Sequence, residues 1–187
     1  MHPFHRFIHS YVNMSTETWQ QVEGCIVYKA LSKGEVLLKT GEVCRHLYFV
    51  EEGFLRFFIW KNGEDVTKFF TEAPYVFTSQ RSYLTASPAT ESIQAITPCT
   101  MWMMTKEDAE ALNVIPSWNE FTVKIKGEVQ FFTEEIYTDI QTRTAEERYR
   151  YLLEKRPALI RNVPQQYIAS FLGIAPQSLS RIRKKMM

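Results

Sequence analysis

Between Cys25 and Thr105 the chain is cut into short runs rich in Val, Ile, Phe, Tyr and Thr, and this punctuation limits its fold more than any other feature. The runs are CIVYKAL, EVLLKT, HLYFVEE, FLRFFIWK, EDVTKFFT, TESIQAIT and CTMWMMT. Lys33-Gly34, Gly41-Glu42, Gly53, Asn62-Gly63 and Pro98 separate them. Asn-Gly between two β-rich runs is a strong hairpin signal, because both residues tolerate positive φ. Strands recurring at roughly ten-residue spacing predict an antiparallel sandwich or jelly roll.

After Lys106 the apolar period becomes helical. EDAEAL is a short helix, and Pro116 opens a long one running to about Thr138. Trp118, Phe121, Ile125, Val129, Phe132 and Ile136 recur at steps of three and four, forming one stripe. Such a stripe either lies on a sheet or pairs with a copy of itself. Thr144-x-x-Glu147 is a capping box for AEERYRYLLEK, which Pro157 stops. ALIRNV reads as a short strand. Pro164 and Pro176 each open a further helix, and Gly173 ends the first of these. Near the start, Ser15 or Thr16 caps a short helix, TETWQQVEG. His2, His5 and His9 have the i, i+3/i+4 spacing of helical metal ligands, but a frayed, solvated terminus is the expectation there.

Charge is unevenly distributed. The net charge of +1 combines −5 over residues 1–143 with +6 over residues 144–187, and no acid follows Arg161. An acidic body with a basic tail points to a polyanion partner. Cys25, Cys44 and Cys99 form neither a disulfide framework nor a Cys-x-x-Cys pair. The N-terminus lacks a signal-peptide h-region, and no stretch approaches the roughly 18 apolar residues of a membrane span. A cytoplasmic protein is expected.

Residues 165–184 fit a helix-turn-helix. Ala169 is small where the helices cross, Gly173 makes the turn, and Ile168, Leu172, Ile174, Leu179 and Ile182 form the shared core. On the second helix Gln177, Arg181 and Lys184 share the face opposite this core. Arg181 suits guanine and Gln177 adenine in the major groove, while Lys184 and Lys185 suit phosphates. Gln165 and Ser178 complete the candidate contacts with double-stranded DNA.

Taken together, the chain resembles the Crp/Fnr superfamily of bacterial transcription regulators over about residues 20–187. GEVCRHLYFVEEGFLRFFIWKNGEDVTKFF is similar to that family's sensor strands, and TAEERYRYLLEKRPALIRNVPQQYIASFLGIAPQSLSRIRKK to its DNA-binding segment. The resemblance implies an α+β fold: an N-terminal β-roll sensor (1–113), a dimerisation helix and hinge (114–143, bending in TDIQTRT), and a winged-helix-like domain (144–187). It implies a homodimer, no catalysis, and a small-molecule effector in the roll. The family's cyclic-nucleotide cassette reads Phe-Gly-Glu, then Pro-Arg-Ser-Ala. Here Phe77-Thr78-Ser79 replaces the first part, Pro88 is kept, and Ala89 and Thr90 stand where Arg and Ser would be. Glu91 adds negative charge where a phosphate would lie, with Arg81 the alternative cation across the loop. Cyclic AMP and cyclic GMP are therefore not expected to bind. Tyr83, with the strands around Phe57 and Ile59, should still bound a partly apolar cavity.

Other chemistries fit less well. Three cysteines exclude a four-Cys iron–sulfur cluster. His46-Leu47-Tyr48…Glu51 only loosely echoes a cupin metal site, so His46 is expected to be structural. No metal or cofactor is expected. The family's usual wing would follow the recognition helix, where this sequence has only Met187; backbone contacts should then come from residues before the helix-turn-helix, or binding should be weaker. The alternative reading is a non-enzymatic β-roll ligand-binding module whose helical tail contacts protein.

Overall fold

A computed structural model describes residues 1–186, and Met187 lies outside them. The seven β-rich runs fold as strands β1 (Ile26–Leu31), β2 (Val36–Leu38), β3 (His46–Glu52), β4 (Phe54–Lys61), β5 (Glu64–Glu72), β7 (Ser92–Ala95) and β8 (Cys99–Thr105). A three-residue strand, β6 (Tyr75–Phe77), joins them. Two antiparallel four-stranded sheets face each other, in the orders β1-β8-β3-β6 and β2-β7-β4-β5. Asn62 and Gly63, both at positive φ, close the β4–β5 hairpin so that Lys61 pairs with Glu64. Gly53 turns β3 into β4 at φ +102°, where a Cβ would lie 2.5 Å from the Pro98 carbonyl oxygen. No other residue fits both the backbone conformation and that approach.

Helices surround the roll: α1 (Pro3–His9), α2 (Thr16–Glu23), α3 (Gln80–Thr85), α4 (Lys106–Ala111) and α5 (Pro116–Thr142). Four more follow: α6 (Ala145–Lys155), α7 (Pro157–Asn162), α8 (Gln165–Leu172) and α9 (Pro176–Met186). Ser15 caps α2 through the Thr18 amide, and Thr144 and Glu147 form the reciprocal capping box of α6. ALIRNV, expected as a strand, is α7: Pro157 stands at its first turn and Leu159 is driven into the core. The N-terminus, expected to fray, is also helical. His2 caps α1, and Phe4 and Ile8, four residues apart, bury one side of it.

Three apolar clusters result. One fills the roll between its sheets, around Val50, Leu55, Phe57, Ile93 and Met101. A second packs α1, α2, α4 and the start of α5 onto the outer face of β3 and β8. The third joins the C-terminal helices to Phe70 and Ile96 of the roll.

The stripe of the long helix divides along its length. Trp118, Phe121 and Ile125 are buried in the second cluster, so this part of the stripe covers the chain's own β-roll. Val129 and Ile136 are half-buried and Phe132 is 40% exposed. Val123, Phe131, Tyr137 and Ile140 are exposed as well. Arg143, in extended backbone, ends α5 immediately before the Thr144 cap, within the stretch predicted to bend.

Candidate functional site

A cavity of about 720 Å³ opens between the roll, α3 and α5. Phe77, Thr78, Arg81, Tyr83, Thr90 and Glu91 all line it, so six of the eight predicted pocket residues converge there. Ser79 and Ala89 are buried beside it instead. The Ala89 backbone is held by Gly41 and Glu42, which fixes the loop carrying Thr90 and Glu91. Phe57 reaches the cavity and stacks on Phe69 at 4.1 Å, whereas Ile59 lies elsewhere on β4. The far wall is α5, through Phe121, Ile125, Val129, Phe132 and Ile136. The helix predicted to make the dimer is thus first of all a wall of the pocket.

Glu91 is only 7% exposed and all its partners are local. Oε1 accepts from the Ser79 hydroxyl at 2.7 Å, Oε2 accepts from Thr90 at 2.8 Å, and the Lys68 ammonium stands 3.7 Å from Oε2. Burial by itself would raise this pKa, but the two hydroxyls and Lys68 outweigh it and hold the carboxyl below its ordinary value. An ionised carboxylate thus stands in the loop that the family resemblance compares with a phosphate-binding cassette. Burial pushes the Tyr83 phenol up to about 12, with Glu110 adding to the effect, so it remains neutral.

Sequence reasoning missed Lys68, and its placement follows from a register shift. Phe57 pairs with Phe69 and Phe58 with Thr67, which leaves Lys68 without a ladder partner. Such a bulge re-aims a side chain. Here the lysine lines the cavity while its neighbour Thr67 meets the C-terminal helices.

That meeting is the second feature of the site. β5 is an edge strand, and α8 covers it. The Thr67 amide donates to Ser170 Oγ at 2.9 Å, and Ser170 donates to the Asp65 carbonyl at 3.3 Å, satisfying groups an open edge would leave bare. Arg56 is 2% exposed and binds Asp65 through two nitrogens at 2.8 and 2.7 Å and Gln94 at 2.9 Å. Its guanidinium lies 3.7 Å from the ring centre of Tyr167 on α8 and 4.2 Å from that of Phe58. Arg156 reaches from the end of α6 to Glu72 at 3.5 Å. Neither this contact nor Arg56 has a local sequence signature, because the partners are brought together only by the fold.

In α8–α9, Ala169 and Leu179 are fully buried at the crossing and Gly173 takes the left-handed turn. Gln177, Arg181 and Lys184 are exposed along α9, with Ser180 beside them, and Gln165 is exposed on α8. Ser178 is half-buried. Lys185 lies 3.6 Å from Glu146, so its charge is partly engaged within the chain.

The histidines of α1 form an aromatic nest: His5 stacks on Trp19 at 4.6 Å, and His2 lies 4.4 Å from Trp102. No group of three metal-ligating residues is found among the described residues, and no helix there is long and apolar enough to cross a membrane.

The cyclic nucleotide-binding domain family matches residues 28–113. No curated protein matches the chain. Among solved structures, the c-di-GMP responsive global regulator CLP of Xanthomonas campestris superposes with a TM-score of 0.72 at 12% identity, covering 92% of this chain and 91% of CLP. FixK2 of Bradyrhizobium japonicum gives 0.70 at 18% identity, covering 86% and 84%. A Eubacterium rectale protein described as of the crp/fnr family gives 0.69 at 15%, covering 92% and 83%. Residues 28–113 are therefore similar to cyclic nucleotide-binding domains, and the chain as a whole shares the fold of these three solved structures, one of them described as of the crp/fnr family.

Proposed function

We propose that this protein is a non-enzymatic, DNA-binding transcription regulator in which the β-roll cavity governs a C-terminal helix-turn-helix. The observation that carries the reading is the exposed polar face of α9, Gln177, Arg181 and Lys184, on a helix whose other side is anchored by Leu179. A glycine-turned helix pair with that face free is shaped to enter a major groove. Gln165 and Ser178 flank it, and Lys185 contributes once released from Glu146.

In this reading residues 1–113 sense, 114–143 dimerise and bend, and 144–187 bind DNA. Two copies related by a two-fold axis hold their recognition helices at a spacing that must match successive major grooves, roughly 34 Å. The dock of α8 on β5 and the break at Arg143 set that spacing. The protein works in the cytoplasm, and cyclic AMP is not its effector, because ionised Glu91 repels a phosphate at the loop that would hold it.

Selection of random duplex DNA by the purified protein tests the reading. An enriched two-fold-symmetric motif is expected, with affinity falling linearly on a log–log plot against salt. Absence of a motif, together with salt-independent binding, overturns it in favour of a module whose helical tail contacts protein.

A further inference from the structure

The cavity's size, wall and charge are specific enough to name the kind of molecule it takes; the inference rests on reading the β-roll as the sensor. A volume of about 720 Å³ lies in the range of small-molecule sites. Its depth is apolar from both sides, with Phe57, Phe69 and Phe77 from the roll and Phe121, Ile125 and Val129 from α5. A ligand rich in hydroxyls and ring nitrogens would leave most of these groups unpaired on burial.

The charges on the wall are not equivalent. Both acidic groups are already engaged: Glu91 with Lys68 and two hydroxyls, and Glu110 with Lys106 at 3.7 Å. Lys68 is used in the same way. Arg81 on α3 and Lys126 on α5 are exposed at the cavity, and neither has an ion-pair partner among the described residues. The interior therefore asks for hydrocarbon, and the surplus charge at the rim is positive.

We infer that the cavity binds an amphipathic monoanion, a carboxylate carrying a hydrophobic chain or ring system, with its body among the phenylalanines and its head at Arg81 and Lys126. Cyclic nucleotides reverse this arrangement, because their charge must sit inside, beside Glu91. The exposed rings of α5 make a second copy of the chain the competing occupant.

Isothermal titration of the full chain with decanoate, 1-decanol, decyltrimethylammonium and cyclic AMP, each below any micellar concentration, tests the inference. Decanoate should bind at least tenfold more tightly than decanol, and neither the cation nor the cyclic nucleotide should saturate. The double variant Arg81→Ala/Lys126→Ala, changed only at exposed positions, should lose that preference while keeping its decanol affinity. Val129→Trp should block both, with its thermal melt showing that the fold persists. Equal binding of decanol and decanoate, undiminished binding to Val129→Trp, or saturation with cyclic AMP overturns the inference. So does decanoate binding only to a monomeric variant, which would assign the cavity to the second copy. A DNA motif selected by a protein that ignores decanoate would sink this inference alone; decanoate binding without any motif would sink the regulator reading alone.

Discussion

Arg181 and Lys184 share one exposed face of α9, yet truncating them should have different consequences. Arg181→Ala should cost about 1–3 kcal/mol on the preferred duplex and relax preference at one base pair. Lys184→Ala should weaken all duplexes alike and lower the salt slope by about one. Titration against the selected site and a scrambled one separates the two. At the dock, Ser170→Ala leaves the buried Thr67 amide without its acceptor, and denaturant unfolding should show a loss of about 1–3 kcal/mol. The His5 nest responds to pH. Burial, reinforced by nearby His9, lowers the His5 pKa below 6.5, and its buried Nε2 has no hydrogen-bond partner. The unfolded chain therefore takes up the proton first, so the contribution of this site is complete above about pH 6.5 and lost as pH falls through the lowered value. Trp19 fluorescence should report that loss, and His5→Phe should flatten it. Residue-scale features were legible when their partners were near in sequence, as in the Thr144–Glu147 box. Arg56 was illegible: its partners Asp65, Gln94 and Tyr167 stand 9, 38 and 111 positions away.

Among the elements, α5 has two roles along one stripe. Its first turns are core, so Ile125→Glu would bury a charge and unfold the second cluster rather than separate two chains. The proposed dimer would rest further along, where Phe131 and Tyr137 are 66% and 63% exposed. Burying one such ring contributes roughly 1.5–3 kcal/mol. Light scattering should find the native protein at twice 22.0 kDa, and Phe131→Glu/Tyr137→Glu folded at 22.0 kDa with greatly weakened DNA binding. Periodicity revealed the stripe but not its division, because a heptad-like pattern is the same whether a helix packs on its own sheet or on a copy. Local pattern failed similarly at β6, too short to alternate, and at α7, where Ile160 and the following Val163 read as strand until packing of Leu159 decided otherwise. At α1 the signal was present, in Pro3 and the Phe4/Ile8 pair, but the histidines obscured it.

For the molecule as a whole, the decisive feature is that one strand serves both ends. Lys68 and Phe69 of β5 look into the cavity, while Thr67 and Phe70 hold the C-terminal helices proposed to bind DNA. Two sites built on one ladder can exchange free energy, and any such exchange is symmetrical. A molecule in the cavity that weakens operator binding tenfold must itself be held tenfold less tightly once the operator is bound. The operator is then as much an effector of the cavity as the ligand is of the helices. Titrating the ligand into the protein with and without its selected duplex would measure that factor from the other side, and the two values must agree.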